Sequence, residues 1–165
     1  MRLHISKIIA NSITITTGPK LDDPLCFTAE DAGATITFNK IGSPDAASIV
    51  YATESPGQRA TLDWQPYTFN TKITLANVGD KVYFRADDEN DISFYKNGSA
   101  YYRFATTNGK KVAASGNIQT LMKADGSILD ISGKNYCYRS MFNGCSSLTT
   151  APALPATTLA SNCYE

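Results

Sequence analysis

Hydrophobic and polar positions alternate with period two along most of this chain. "ATITF" (Ala34 to Phe38) is the cleanest case, and "SIVYA" (Ser48 to Ala52), "YTFNTKITL" (Tyr67 to Leu75), "KVYFRA" (Lys81 to Ala86) and "YYRFAT" (Tyr101 to Thr106) follow it. Successive side chains of a strand point to opposite faces, so each run buries one face and wets the other. The runs are short, rich in β-branched and aromatic residues, and bounded by turn residues such as Gly42-Ser43-Pro44, Ser55-Pro56-Gly57 and Asn97-Gly98. "NVGDKVYF" reads as a tight turn feeding a strand, with Gly79 able to take a positive φ. Several such strands at regular spacing predict an all-β sandwich or barrel. Ahead of them, "SITITT" (Ser12 to Thr17) is one more strand of the same body, or an arm that adds a strand to a neighbouring subunit. Gly18-Pro19 and Asp22-Asp23-Pro24 set it apart, which gives residues 1–23 as an N-terminal arm or first strand and 24–113 as a β-sandwich domain.

After Asn108-Gly109 the texture changes. "SGNIQTLMKADG" sets a cap-like Ser115 or Asn117 ahead of Ile118, Leu121 and Met122, the pattern of a short amphipathic helical turn. The chain then closes on "YCYRSMFNGCSSLTTAPALPATTLASNCYE", in which Cys137-Tyr138 returns as Cys163-Tyr164, 26 residues later. "YCYRSMF" would place Cys137, Met141 and Tyr138 on one helical face, and Leu148 to Ala151 reads as a short strand stopped by Pro152. A strand and its return in 26 residues falls within the span of about 20–29 residues typical of leucine-rich repeats. Such a unit buries its apolar face only by stacking on a neighbour. Residues 114–165 are therefore expected to hold one full repeat and the start of a second, with further repeats or a partner subunit stacking after Glu165.

These residues closely resemble the repeat of BspA-like leucine-rich-repeat surface proteins of gut bacteria, whose units have the form CY-x-x-MF-x-x-C-x-SL-T-x-AP-x-LPATTL. The matching positions are Cys137, Tyr138, Met141, Phe142, Cys145, Ser147, Leu148, Ala151, Pro152 and Leu154 through Leu159, with Pro155 inside that last run, and the motif restarts at Cys163 and Tyr164. "LCFTAEDAGATITF", the Trp64 hairpin, "VGDKVYFRA" and "GKKVAASGNIQTLM" are similar to the β domain that precedes such repeats. The resemblance implies an extracellular, cell-surface module for recognition or adhesion that binds a protein or a glycan. The chain departs from the family in two ways: residues 1–23 carry no signal peptide or lipoprotein cysteine, and the repeats are few. Phages of gut bacteria carry similar domains on their virions, so a tail- or capsid-associated structural or receptor-binding protein is the rival reading.

Fifteen basic residues balance fifteen acidic ones, so the chain has no electrostatic footprint for a phosphate backbone and nucleic acid is not an expected partner. No apolar run approaches the roughly 20 residues of a membrane-spanning helix. The four cysteines, Cys26, Cys137, Cys145 and Cys163, show neither CxxC spacing nor a histidine partner, and read as buried small hydrophobes in a regular array. Catalysis finds little to work with. The single histidine, His4, lies in the opening arm, and the carboxylate pairs Asp22-Asp23 and Glu30-Asp31 sit in turns. Within "DDEND", the residues Asp87, Asp88 and Asp91 form a weak calcium candidate without the glycine and spacing of an EF-hand. The chain is thus expected to be no enzyme and to need no cofactor. Trp64, Tyr67, Tyr95, Tyr101 and Tyr102 are the candidates for a sugar- or protein-binding platform, because rigid aromatic side chains make good anchors. Taken together the sequence predicts a mainly β protein, an immunoglobulin-like β-sandwich followed by a short leucine-rich-repeat segment.

Overall fold

The structure is a computed structural model that describes residues 22–57 and 61–164. The opening arm with His4 and the strand expected at residues 12–17 lie outside the described residues, as does Glu165. Among the described residues nine strands form in chain order: β1 Leu25–Ala29, β2 Ala34–Ile41, β3 Ile49–Glu54, β4 Gln65–Pro66, β5 Lys72–Leu75, β6 Lys81–Ala86, β7 Tyr95–Asn97, β8 Ala100–Thr106 and β9 Val112–Ser115. They make two antiparallel sheets, one in the order β4-β3-β6-β1-β9 and the other β5-β2-β8-β7. This is a β-sandwich, as the alternation predicts.

The alternation also decides what lies between the sheets. In β6, Val82, Phe84 and Ala86 are buried while Lys81, Tyr83 and Arg85 face outward. Phe27 of β1, Phe84 of β6, Phe38 of β2 and Phe104 of β8 meet across the interior, with Phe38 and Phe104 stacked at 4.1 Å and 14°. Each such ring contributes about 1.5–3 kcal/mol through burial alone.

One expected strand is shorter than its pattern. Of "YTFNTKITL" only Lys72–Leu75 pairs with β2, because Asn70 takes φ 69° and Tyr67 turns inward. The Tyr67 hydroxyl donates to the Thr71 carbonyl and accepts from the Phe38 N–H, so this stretch is stapled across the sheet rather than laddered into it.

A sandwich of this size leaves one side open between its sheets, and the C-terminal segment closes it. The division after residue 113 falls inside β9, and the chain passes through the bend at Gly116 without a break in packing. There φ is 75°, and an added Cβ would stand 2.0 Å from the Pro24 carbonyl oxygen. Asn117 then caps a single 3-10 turn, Ile118–Leu121, through a side-chain bond from the Gln119 N–H. The expected helical turn is therefore present in its tighter form. Further along, Leu148 to Ala153 runs parallel to β9 and Gly116-Asn117, held by Val112 N–H to Ser147, Thr149 N–H to Val112 and Ala153 N–H to Gly116. The expected strand at 148–151 is thus an edge that makes single bridges rather than a continuous ladder. On the other sheet, the Phe104 N–H donates to Met141 and its carbonyl accepts from the Cys145 thiol. Phe142 lies over Phe104 and Phe27, and Cys137, Tyr138, Met141 and Cys145 belong to the same core as the sandwich.

The helical face expected for Cys137, Tyr138 and Met141 does not form. Tyr136, Tyr138 and Ser140 have φ near 60°, whereas an α-helix requires about −63°. The chain instead makes overlapping turns: Cys137 N–H to Lys134, Arg139 to Tyr136, Met141 to Tyr138, Asn143 to Ser140 and Cys145 to Phe142. The same backbone returns 26 residues later, with positive φ at Asn162 and Tyr164 in register with Tyr136 and Tyr138. The Tyr164 N–H donates to the Cys137 carbonyl and its ring stacks on Tyr138 at 5.7 Å and 12°. The sandwich supplies the rung beneath. Phe94 has φ 61° and stacks on Tyr138 at 5.4 Å and 16°, while the Tyr138 N–H donates to the Ser93 carbonyl. Gln119 ties the rungs together, accepting from the Tyr138 hydroxyl at 2.8 Å and donating to Tyr164 at 3.4 Å.

Candidate functional site

Two concave features of the described surface lie where the C-terminal segment meets the sandwich. The first is built on the β7–β8 hairpin, whose turn at Gly98-Ser99 sets Tyr95 opposite Tyr101. Their half-buried rings stack at 5.8 Å and 27°. Tyr136, swung outward by its positive φ, brings a third ring to 5.6 Å from Tyr95. The Arg139 guanidinium sits over both, 5.4 Å from the Tyr95 ring and 5.2 Å from Tyr136. Beside this cluster lies a polar groove of about 380 Å³, lined by Tyr95, Tyr136, Ile92, Ser93 and Gly133 among others. Two ion pairs cross it, Lys96 to Asp45 at 3.4 Å and Lys134 to Asp91. The Lys134 ammonium, through its hydrogen bond and charge, holds the Asp91 carboxyl below its usual range.

The second feature is an apolar recess of about 520 Å³ at the end of the turn ladder. Tyr138, Met141, Phe142, Pro152, Leu154 and Tyr164 line it. Leu154 and Leu159 are among the few large apolar side chains left exposed, at 48% and 53%.

Of the five aromatic candidates, only Tyr95 and Tyr101 come together at the surface. Tyr67 and Tyr102 are corrected to core residues, with exposures of 7% and 0%. Their hydroxyls are satisfied internally, Tyr102 donating to the Asp45 carbonyl and accepting from the Ala47 N–H. Tyr102 follows Tyr101 directly, so the pleat sends one ring in and the other out. Trp64 stands apart, packed beneath the Arg85 guanidinium at 4.1 Å beside β4 of the other sheet. Asp87 and Asp88 are exposed and Asp91 is engaged with Lys134. Among the described residues no group of three His, Cys, Asp or Glu side chains is placed to hold a metal ion, so the calcium candidate does not assemble. Asn90, in the middle of that run, is buried and fastens the loop to the C-terminal segment. Its side chain pairs with both backbone groups of Ser48 and donates to the Leu121 carbonyl.

The four cysteines are free thiols, and Cys26, Cys137 and Cys145 are buried. Burial first, then the nearby Cys163, pushes the Cys137 thiol up to about 12, which makes it a poor nucleophile. Sequence reasoning missed Tyr136, Arg139, Asp45, Lys96 and Lys134. The one legible hint was the spacing of Tyr136 and Tyr138: residues two apart in consecutive turns face alternately out and in. Among the described residues no helix is long and apolar enough to cross a membrane. Comparison with protein-family models, with curated proteins and with solved structures finds no match.

Proposed function

We propose that this chain is a non-catalytic recognition or adhesion module that engages a protein or glycan at the surface of a gut bacterium. The observation that carries the reading is the Tyr95–Tyr101–Tyr136–Arg139 cluster. Its rings come from both the sandwich and the C-terminal turns, which the Tyr138 N–H to Ser93 carbonyl bond and the Phe94–Tyr138 stack hold together, so an aromatic and guanidinium surface is presented at the junction. Tyrosine and arginine are enriched at binding hot spots because they offer large contact area at low entropy cost. The cell-surface setting comes from the resemblance of Cys137 to Tyr164 to BspA-like repeats.

The sandwich is read as immunoglobulin-like on its two antiparallel sheets, and the turns as leucine-rich repeats on the 26-residue return of backbone and ring stacking. On that reading the apolar recess beside Tyr164 seats the next repeat. The test of the function is binding of the full chain to epithelial cell surfaces by flow cytometry. Arg139→Ala with Tyr95→Ala is expected to weaken it at least about tenfold. Unchanged binding by a folded double variant overturns the proposal.

A further inference from the structure

The geometry points to an uncharged pyranose as the group this site takes, seated in the groove between Tyr95, Tyr136 and the two ion pairs. This inference rests on the recognition reading above and names its ligand class. Size comes first: about 380 Å³ lies toward the small end of ligand pockets, which span roughly 300–1,000 Å³. That suits one sugar ring with part of its neighbour. Charge comes second. Lys96 is matched by Asp45 and Lys134 by Asp91, each pair bridging different segments of the chain. With two cations and two anions lining it, the groove carries no net charge to attract an ionic ligand, whereas a neutral polyol adds hydrogen bonds to charges that stay paired. Shape and chemistry come third. A pyranose has an apolar C–H face and a rim of hydroxyls. The parts of the Tyr95 and Tyr136 rings that border the groove suit the face, and Asn135, Ser93 and the two aspartates offer donors and acceptors for the rim.

The core tyrosines sharpen this. Tyr67, Tyr102 and Tyr138 each spend their hydroxyl on an internal hydrogen bond. Tyr95 and Tyr136 instead border the groove. An extended peptide is the weaker fit, because strand addition needs a long free edge and β7 has three residues.

The test is saturation-transfer NMR on the full chain with millimolar methyl glycosides of glucose, galactose, mannose and N-acetylglucosamine, beside glucuronic and sialic acids. At least one neutral glycoside is expected to receive transfer, to survive added salt, and to lose affinity about tenfold in Tyr136→Asn. Asparagine tolerates the positive φ at that position, and Tyr95→Ala on the edge strand serves as a second variant that leaves the turns intact. Transfer confined to the acidic sugars, or to none, overturns the inference. Cell binding separates the two levels. If Tyr95→Ala and Tyr136→Asn abolish it but periodate oxidation of the cell glycans does not, the recognition surface stands and the sugar falls. If neither variant changes it, the recognition reading itself falls.

Discussion

Asp80 shows how a single turn residue anchors a strand. It closes the turn before β6, accepting from the Asn77 N–H at 2.9 Å while the Gly79 N–H donates to the Ala29 carbonyl. The Asn77 backbone bond is the main reason its carboxyl sits below the ordinary value of 3.8. A carboxyl with a depressed folded pKa contributes stability that is present above its unfolded pKa and lost as pH falls through the folded one. Urea midpoints are therefore expected to fall as pH drops from about 5 to about 2, and Asp80→Asn should lose part of that slope. An unchanged slope in Asp80→Asn would mean the turn does not depend on the charge. Asn90 makes the same point for a neutral residue. Its neighbours Asp87, Asp88, Glu89 and Asp91 are exposed, yet its amide joins two parts of the core. Nothing in "DDEND" distinguishes the one buried member from its exposed neighbours, because the partners, Ser48 and Leu121, are tens of residues away.

At the scale of elements, the ladder Phe94–Tyr138–Tyr164 ties the C-terminal turns to the sandwich. Non-glycine residues with positive φ each carry a backbone cost of about 1–2 kcal/mol, so the three turns around Tyr136 to Ser140 persist only where packing outweighs it. Tyr138→Ala is expected to cost about 3–5 kcal/mol in urea denaturation. A double-mutant cycle with Phe94→Leu should return a coupling of about 0.5–1.5 kcal/mol, the range of stacked aromatic pairs. Additive effects would show that the two rings pack independently. The strands of the sandwich were legible because β6 and β8 carry the alternation of a sheet buried on one face, and β2 alternates apolar residues with threonine although both its faces are buried. The turns were not, because their buried Cys137, Met141 and Cys145 recur every four residues, which looks like a helix. Only positive φ separates them from one, and a non-glycine residue does not announce it.

At the scale of the whole molecule, the C-terminal segment covers an open side of the sandwich on both sheets at once. It extends the β9 edge through Leu148 to Ala153 and meets β8 through Met141 and Cys145. Removing residues 117–165 would uncover Phe27 and Phe104, which Phe142 now overlies, and delete the partners of Leu25 and Asn90. A chain ending at Gly116 is expected to bind a hydrophobic dye and to lose cooperative unfolding, as a collapsed but unpacked state does. A cooperative, dye-silent fragment would show that the sandwich stands alone. The same closure makes the candidate site. Tyr95 and Tyr101 were among the aromatic candidates, but Tyr136 and Arg139 join them only because the turns dock against β7.

The sequence by itself determined β2, β3, β6 and β8, part of β5, several of the turns between them and the 26-residue return at the C-terminus, because each follows from a local period or a turn residue. It also determined that the surface would be electrically balanced. Tertiary structure decided which tyrosines face out, where the acidic run is paired, and that the C-terminal turns seal the sandwich rather than extend from it. Those outcomes depend on which edges and apolar faces remain uncovered once the two sheets pack, and residues far apart in the chain settle that together.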